Sequence, residues 1–295
     1  MLDHKEIETL VAIVDGQSFD NAAQQLNVSP GAISQRIKSL ENRIGSSVLI
    51  RSTPPKPTDV GEQVLTFARR MLLLQNEMDL VLSNKSNDSA RALTIAVNHD
   101  TLTCWFMDVI QQLDDQPHLA FDIRVSDTLN TQELLIKGDV IAAITSKNNQ
   151  IGGCKTRFLG QLEYIPVCSK AFFTAHLGDN FTSQMLASAP IALFDRNDDL
   201  IEQFLSQYNL HSNHSKTHYI PSSSALVEVV KQGIGWTMLP KILIENELDD
   251  NELLLLSEKS VLVDLYWNTW EQVSEIIHKV ESVVTSVAMK KLVND

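Results

Sequence analysis

The sequence predicts an α/β protein with an all-α N-terminal part, and three observations along the chain lead to this prediction. Two short helix patterns joined by a tight turn occupy residues 17–51. One long helical pattern follows over residues 58–84, and strand and helix patterns then alternate through residues 92–295. Such alternation is typical of α/β domains. We therefore expect three parts in chain order, at residues 1–58, 59–91 and 92–295.

The first part has the pattern of a helix-turn-helix. Ser29 is a favourable N-cap for the second helix, and Pro30 stands at the first helical position, where a missing N–H costs nothing. Apolar residues recur at spacings of four, three and four and predict one buried face: Ile33, Ile37, Leu40 and Ile44. Small and polar residues on the opposite face suit base edges in the major groove. The residues expected to lie toward base edges are Ser29, Pro30, Gly31, Ser34, Gln35 and Lys38.

Charge supports this interpretation only locally. The whole chain has a formal net charge of −13, yet residues 31–56 contain five basic residues against Glu41 alone. A basic patch on an acidic body orients a protein on a duplex, because the patch attracts phosphates while the body repels them. A solvated helix face is the alternative for the charge count taken by itself. The residues expected to hold phosphates are Arg36, Arg43, Arg51 and Lys56.

Three prolines stiffen the segment that follows the second helix, residues 51–57. They fix φ and remove amide donors, so neither a helix nor a central strand is expected. The segment suits a rigid wing that brings Arg51 and Lys56 to the phosphate backbone or the minor groove. A simple linker is the alternative.

The long helical pattern from Thr58 to about Asn84 predicts a dimerisation helix. Spacings of four and three alternate over nearly three heptads, as in a coiled-coil seam. The predicted seam residues are Val64, Ala68, Met71, Gln75, Met78 and Leu82. A helix of about 27 residues is roughly 40 Å long, which is too long for burial inside a small domain. Residues 83–91 are small and polar and are expected to form a hinge.

The third part is predicted to contain mostly parallel sheet. The candidate strands are Ala92–Val97, Ala120–Val125, Val140–Thr145, Tyr164–Cys168, Ile191–Phe194, Gly235–Leu239 and Leu262–Trp267. The candidate helices are Thr101–Leu113, Thr131–Lys137, Leu200–Tyr208, Ser224–Lys231 and a terminal Glu271–Leu292. Ligand sites in such domains lie beyond the carboxyl ends of the strands.

Polar residues at these strand ends suggest a ligand site. A helix N-terminus with hydroxyls nearby favours an anion such as a carboxylate, whereas carboxylates bind ammonium or guanidinium groups. Together they describe a basic amino acid, lysine or arginine. Each residue taken singly is equally an ordinary N-cap. The candidate effector contacts are Asn98, Asp100, Thr101, Asp127, Thr128, Asp195, Ser222 and Ser223.

The N-terminal pattern resembles that of LysR-type transcriptional regulators. The residues that match are Ala22, Ala23, Leu26, Ser29, Ser34, Ile37, Leu40, Glu41, Gly45, Leu49, Arg51, Thr58 and Gly61. Residues 34–45, 51–61 and 96–105 further resemble the arginine- and lysine-responsive subgroup, which is also described as a chromosome-initiation inhibitor. Two residues depart from the family pattern: Ile50 replaces the usual Phe, and Gly31 replaces the commoner Ala or Pro.

The resemblance implies a winged helix-turn-helix, a linker helix and a two-subdomain effector domain like a periplasmic binding protein. Subdomain I would comprise about 92–161 and 268–295, and subdomain II about 162–267, with chain crossings near Leu162 and Val263. It also implies a cytoplasmic homodimer or homotetramer that binds double-stranded promoter DNA and responds to lysine or arginine. Its targets would be genes of amino-acid export or metabolism, and RNA polymerase is a candidate partner.

Other function classes have weaker support in the sequence. Cys104, Cys154 and Cys168 are odd in number and follow no secretory pattern, so reduced thiols are expected. The histidines of segment 211–218 could bind a metal only on a helix, and their polar neighbours indicate an exposed connection. We therefore expect no metal, no cofactor, no membrane partner and no enzymatic activity. The alternatives are a sequence-tolerant architectural DNA protein that inhibits replication initiation, and an enzyme or solute-binding domain with a DNA-binding head.

Overall fold

The computed structural model describes residues 3–82, 91–116, 119–126, 128–148, 153–178, 180–271 and 275–294. Asp127 and the predicted hinge residues 83–90 lie outside this set. No helix within the described ranges is long and apolar enough to cross a lipid bilayer.

The N-terminal domain is a winged helix-turn-helix. Its helices are α1 (His4–Asp15), α2 (Phe19–Gln25) and α3 (Pro30–Ile44), and its wing is an antiparallel pair, β1 (Leu49–Ile50) and β2 (Lys56–Pro57). The wing is a short hairpin in which Ile50 pairs with Lys56, in a ladder of only two residues on each side. It contains neither a helix nor a central strand, as the prolines predicted. The predicted buried face of α3 is confirmed at Ile33, Ile37 and Leu40.

The linker helix α4 (Asp59–Leu82) begins where the wing ends. Gly61 lies so close to the wing that a Cβ there would be 1.9 Å from the carbonyl oxygen of Val48. Thr58 closes this junction, since its Oγ1 donates to the Ser47 carbonyl at 2.7 Å and accepts from the Gly61 amide at 3.0 Å. Thr58 and Gly61 therefore fix the angle between the wing and the linker helix.

The predicted seam of α4 is wrong in part. Ala68 is 2% exposed, and Leu65 packs in the core of the N-terminal domain, so this face is covered within the chain. The exposed apolar stripe keeps the predicted Met71 and Met78, but Phe67 and Leu74 stand in it in place of Ala68 and Gln75, with the expected spacings of four, three and four. The sequence correctly predicted the spacing of the exposed apolar residues, but the neighbouring face of α4 packs against α1.

The effector domain begins with β3 (Arg91–Val97). A helix follows that consists of α5 (His99–Thr101), a π-helical turn (Leu102–Phe106) and α6 (Met107–Leu113). The remaining elements before the long crossing strand are β4 (Leu119–Val125), α7 (Thr128–Ile136) and β5 (Ala142–Thr145). We refer to these elements, with a C-terminal helix given below, as subdomain I. Trp105 and Phe106 lie in a hydrophobic core that continues into the second lobe.

The chain then enters and leaves a second lobe. Its elements are β6 (Cys154–Ser169), α8 (Lys170–Phe172), a π-helical turn (Phe173–Leu177), α9 (Ser183–Leu186), β7 (Ile191–Leu193), α10 (Leu200–Ser206), β8 (Thr217–Tyr219), α11 (Ser223–Lys231), β9 (Thr237–Pro240), a 3-10 turn (Lys241–Leu243), α12 (Glu245–Asp249), β10 (Leu253–Leu255) and β11 (Val261–Trp270). Helix α13 (Glu275–Lys291) ends the fold and packs on α6.

The sheets are mixed, so the expectation of mostly parallel strands is wrong. Strand β3 pairs in parallel with β4 and β5, and β7 pairs in parallel with β8. In contrast, β6 and β11 pair antiparallel with each other over residues 154–164 and 261–270, and β6 also pairs antiparallel with β9 and β10. The reason is topological: both long strands run through the two lobes in opposite directions. The predicted strand Tyr164–Cys168 is only the distal part of β6.

Candidate DNA-binding and effector sites

The N-terminal part of α3 is exposed and well defined. Ser29 Oγ accepts from the Ala32 amide at 3.2 Å, and Pro30 occupies the first turn, as the sequence predicted. Gly31 is exposed, and a Cβ there would meet only Ser29 Oγ at 3.9 Å, so an alanine would fit at this position in the described structure. The side chains of Ser34, Gln35 and Lys38 are also exposed.

Helix α3 and the wing form one concave surface. A groove is lined by Ser34, Gln35, Lys38, Glu41, Asn42, Gly45, Ser46, Ser47 and Arg51. Glu41 shapes its floor by accepting the Val48 amide at 3.0 Å, and Gly45 ends α3 in the left-handed conformation, with φ of 77°. Lys56 is exposed on β2. The structure thus brings three of the predicted base-reading residues, Ser34, Gln35 and Lys38, together with Arg51 in this groove, whereas Ser29, Pro30 and Gly31 do not line it.

Two predicted phosphate contacts lie against α1 instead of projecting freely. Arg36 Nη1 donates to Thr9 Oγ1 at 3.3 Å. The Arg43 guanidinium contacts both carboxylate oxygens of Glu6, each at 3.2 Å, and Ser39 Oγ donates to the same carboxylate at 2.5 Å. Glu6 is 4% exposed, so this acid holds α3 on α1. Sequence reasoning did not single out Glu6, although an acid within the apolar face of α1 was a readable signal.

In the effector domain, α5 begins at the end of β3 with the predicted polar residues. Asn98 Oδ1 accepts from the Thr101 amide at 2.7 Å and caps the helix. Thr101 is fully buried, and its hydroxyl has no hydrogen-bond partner among the described residues. Asp100 points toward the second lobe, where it meets residues of β6 and α11.

Asp100 is the centre of a hydrogen-bonded cluster between the two lobes. Tyr164 Oη donates to its Oδ2 and Ser223 Oγ donates to its Oδ1, both at 2.6 Å. Tyr164 lies on β6 and is 5% exposed. Its burial raises the pKa of the phenol well above the usual range, and the nearby Asp100 raises it further, so the phenol remains a donor. The cluster therefore joins subdomain I, the crossing strand and the second lobe at one carboxylate.

A second acidic group lies close to this cluster after β7. Asp198 accepts from the amides of Phe194 at 3.0 Å and Leu200 at 3.2 Å. Burial raises the pKa of Asp198, its two backbone hydrogen bonds oppose that rise, and Asp100 and Asp195 add to it. The Phe194 ring stacks against His99 of α5, with ring centroids 5.0 Å apart. These contacts bring the end of β7 up to the start of α5.

The predicted effector residues thus have different surroundings. Asp100 and Ser223 are hydrogen-bonded to each other, whereas Asp195 lies near Asp198, and its Oδ1 accepts from the Asn197 amide at 2.7 Å. Ser222 caps α11 by accepting from the Ala225 amide at 3.3 Å. Thr128 begins α7, and Asp127 falls outside the described residues. Tyr164 and Asp198 were missed, because their sequence neighbours gave only strand and turn signals.

The cysteine and histidine segments have ordinary surroundings. All three cysteines are free thiols, and burial raises the pKa of Cys154 to about 11 and that of Cys168 to about 12. The segment around His211 is extended rather than helical, and His218 lies on β8. In the described part of the chain, no group of histidines, cysteines and acids is arranged to hold a metal ion.

This fold and these two sites define a winged helix-turn-helix protein with a two-lobed ligand domain. Residues 4–62 match the bacterial regulatory helix-turn-helix model of the lysR family, and residues 86–279 match the LysR substrate binding domain. The chain belongs to the LysR family of DNA-binding transcriptional regulators.

Individual relatives extend over nearly the whole chain. The transcriptional regulator LysG of Mycobacterium tuberculosis is 32% identical over 287 residues, which cover 97% of this chain and 94% of LysG. The crystal structure of ArgP from Mycobacterium tuberculosis has a TM-score of 0.86 and 31% identity, with 100% of both chains covered. LysG of Corynebacterium glutamicum, described with bound effector Arg, has a TM-score of 0.77 and 29% identity and covers 99% of this chain and 100% of its own.

Proposed function

We propose that this chain is a transcriptional regulator whose effector domain binds a basic amino acid, arginine or lysine, between its two lobes. The main support is the Asp100 cluster, in which a carboxylate in the first turn of α5 meets hydroxyl donors of β6 and α11 where the two lobes contact each other. The solved LysG relative is described with arginine as its effector, which agrees with this choice of ligand. Its targets are genes of amino-acid export or metabolism.

The ligand is proposed to bind by its two charged ends. The α-carboxylate lies at the helix N-termini capped by Asn98 and Ser222, where amides and the helix dipole favour an anion. The cationic groups of the ligand, its α-ammonium beside the carboxylate and its side chain farther away, lie toward Asp100, Asp195 and Asp198. Asp127 and Thr128 remain predicted contacts. Binding requires Asp100 to exchange a hydroxyl donor for the ligand, so the ligand competes directly with the Ser223 contact between the lobes.

On the DNA side, the proposal assigns base edges to Ser29, Pro30, Gly31, Ser34, Gln35 and Lys38, and phosphates chiefly to Arg51 and Lys56. Arg36 and Arg43 bind DNA only if they leave Thr9 and Glu6, and we propose that they mainly orient α3. The regulator acts in the cytoplasm as a homodimer or homotetramer joined through the exposed stripe of α4. The effector is bound and released without turnover, and RNA polymerase is a proposed partner.

The first test is calorimetric titration of the full chain with arginine, lysine and citrulline, which has the shape of arginine without its charge. We expect micromolar-range binding of a basic amino acid and at least about 100-fold weaker binding of citrulline. The variant Asp100→Asn should lose at least about tenfold in affinity, since an unpaired buried cation costs several kcal/mol.

Asp122→Asn is the matched control, because Asp122 is an acid on β4 whose partner is the exposed Arg124 at 2.7 Å. Its affinity for the ligand should equal that of the wild type. If arginine and citrulline bound equally well, the site would not recognise the charge of the ligand side chain, and the proposal would be refuted. Absence of any ligand response, together with equal affinity for selected and random duplexes, would favour the architectural DNA protein instead.

A further inference from the structure

Two neighbouring arginines of α4 connect the DNA-binding domain to the effector domain. Arg69 forms ion pairs with Asp15, the last residue of α1, and with Asp139, which follows α7. The Arg69 side chain is only 13% exposed. One guanidinium group therefore bridges an acid of the DNA-binding domain and an acid of the effector domain.

The contact is closely packed as well as charged. The Arg70 guanidinium carbon lies 3.7 Å from the centroid of the Trp270 ring at the end of β11, within the range of a cation–π interaction. Gly138 has φ of +75°, and a Cβ there would lie 3.1 Å from the Cβ of Arg69 and 3.2 Å from the amide nitrogen of Arg70. The effector domain thus contacts the backbone of α4 at Gly138, where a side chain would press against Arg69 and Arg70.

The residues that meet α4 are fixed to α7. The Gly138 amide donates to the Leu135 carbonyl at 3.0 Å, and the Asp139 amide donates to the Leu134 carbonyl at 2.8 Å. This is the Schellman pattern that ends a helix with a left-handed glycine. Helix α7 begins at Thr128, one of the proposed effector contacts. Its two ends therefore lie at the proposed ligand site and at the linker helix.

The other end of the bridge leads to the DNA-reading helix. Asp15 ends α1, and α1 holds α3 through the buried Glu6 and its contacts with Ser39 and Arg43. A continuous set of hydrogen-bonded and packed residues thus runs from α7 through Arg69 to α1 and α3. Such a network can transmit a change when one of its contacts has two discrete arrangements, made or broken.

We propose that Asp15, Arg69, Arg70, Gly138, Asp139 and Trp270 form an interdomain latch that couples effector binding at the start of α7 to the orientation of the DNA-binding domain. This coupling rests on the proposed function, because it takes the effector to bind in the cleft. The docking of α7 on α4 is a separate part of the inference and does not depend on the identity of the ligand.

The test compares the full-length variants Asp139→Asn and Arg69→Gln with the wild type by hydrogen exchange. We expect amide exchange about tenfold faster in segment 66–72 of α4 and in segment 134–141, which contains the end of α7 and the turn that follows it. The control is Glu133→Gln, on the same helix, because Glu133 pairs with Lys137 at 3.2 Å on the exposed surface. Its α4 segment should exchange at the wild-type rate. Unchanged exchange in Asp139→Asn would overturn the docking contact.

The second readout is the ratio of DNA affinities measured with and without saturating arginine. In Asp139→Asn, a tenfold wild-type response should fall to about threefold or less, while calorimetry still shows arginine binding. A full response in Asp139→Asn would overturn the latch. If the wild type binds no basic amino acid, the effector proposal fails, and hydrogen exchange alone decides the docking contact.

Discussion

At the scale of single residues, the DNA-binding surface separates side chains that can read sequence from those that can only bind phosphate. Gln35 is exposed on α3 and can form paired hydrogen bonds with a base edge, whereas Lys56 projects from the wing as a point charge. The variant Gln35→Ala should therefore weaken binding to a selected operator by about 1–3 kcal/mol and leave binding to random duplex nearly unchanged. Lys56→Ala should weaken both alike.

Fluorescence anisotropy with a duplex chosen by repeated selection, and with a shuffled duplex of equal length, measures both constants. Asn42→Ala is a suitable control for general effects on α3, because Asn42 lies farther along the same groove. Equal losses for Gln35→Ala on the two duplexes would remove Gln35 from the base-reading set.

Individual residues also show which contacts could be predicted from the sequence and which could not. Ser29 and Pro30 could be placed correctly because capping is a local property that depends on a few neighbouring residues. Arg43 was predicted on the basis of charge alone, and its contact with Glu6 depends on two helices that are distant in sequence. Asp100 and Ser223 were both identified as strand-end or cap residues, but their 2.6 Å contact requires the two lobes to meet.

At the scale of elements, the linker helix leads to a prediction about assembly. Phe67 is 69% exposed, and the stripe it shares with Met71, Leu74 and Met78 has no covering element in the described chain. Burying a phenylalanine contributes about 1.5–3 kcal/mol, and a symmetric contact buries two copies. The variant Phe67→Ser should therefore weaken self-association by at least about 100-fold.

Sedimentation velocity over a dilution series measures this self-association. Thr66→Ala is the control, because Thr66 lies outside the stripe and donates to the Glu62 carbonyl of its own helix. A Phe67→Ser protein that associates as strongly as the wild type would show that the stripe is covered in some other way.

The elements also explain which predictions of the fold were correct. Helices and buried parallel strands of subdomain I were found with small errors at their ends, because each has its own apolar pattern. Strand β6 was predicted as five residues and spans Cys154–Ser169, since its proximal half alternates polar and apolar residues. The antiparallel pairing of β6 with β11 joins segments about 100 residues apart, and no local pattern encodes it. The predicted divisions between the domains stay predictions.

At the scale of the whole molecule, an acidic protein carries a small basic DNA-binding surface. Its affinity for DNA should therefore fall steeply as the salt concentration rises. Each phosphate neutralised contributes about 0.9 to the slope of log K against log salt. Arg36 and Arg43 contact Thr9 and Glu6 of α1, whereas Lys38, Arg51 and Lys56 are exposed and form no ion pair within the described residues. A dimer using these last three cations of each subunit should therefore give a slope of about −5, and a dimer using all five about −9.

Measuring operator affinity between about 50 and 300 mM salt decides between these values. The structure favours the shallower slope, because releasing Arg43 would leave the buried carboxylate of Glu6 without its cation. A slope near −9 would mean that Arg36 and Arg43 leave Thr9 and Glu6 to bind phosphates, and it would contradict the positioning role given to both arginines. A slope near −5 would leave the α1–α3 contact intact on DNA, as transmission of an effector signal through Asp15 requires.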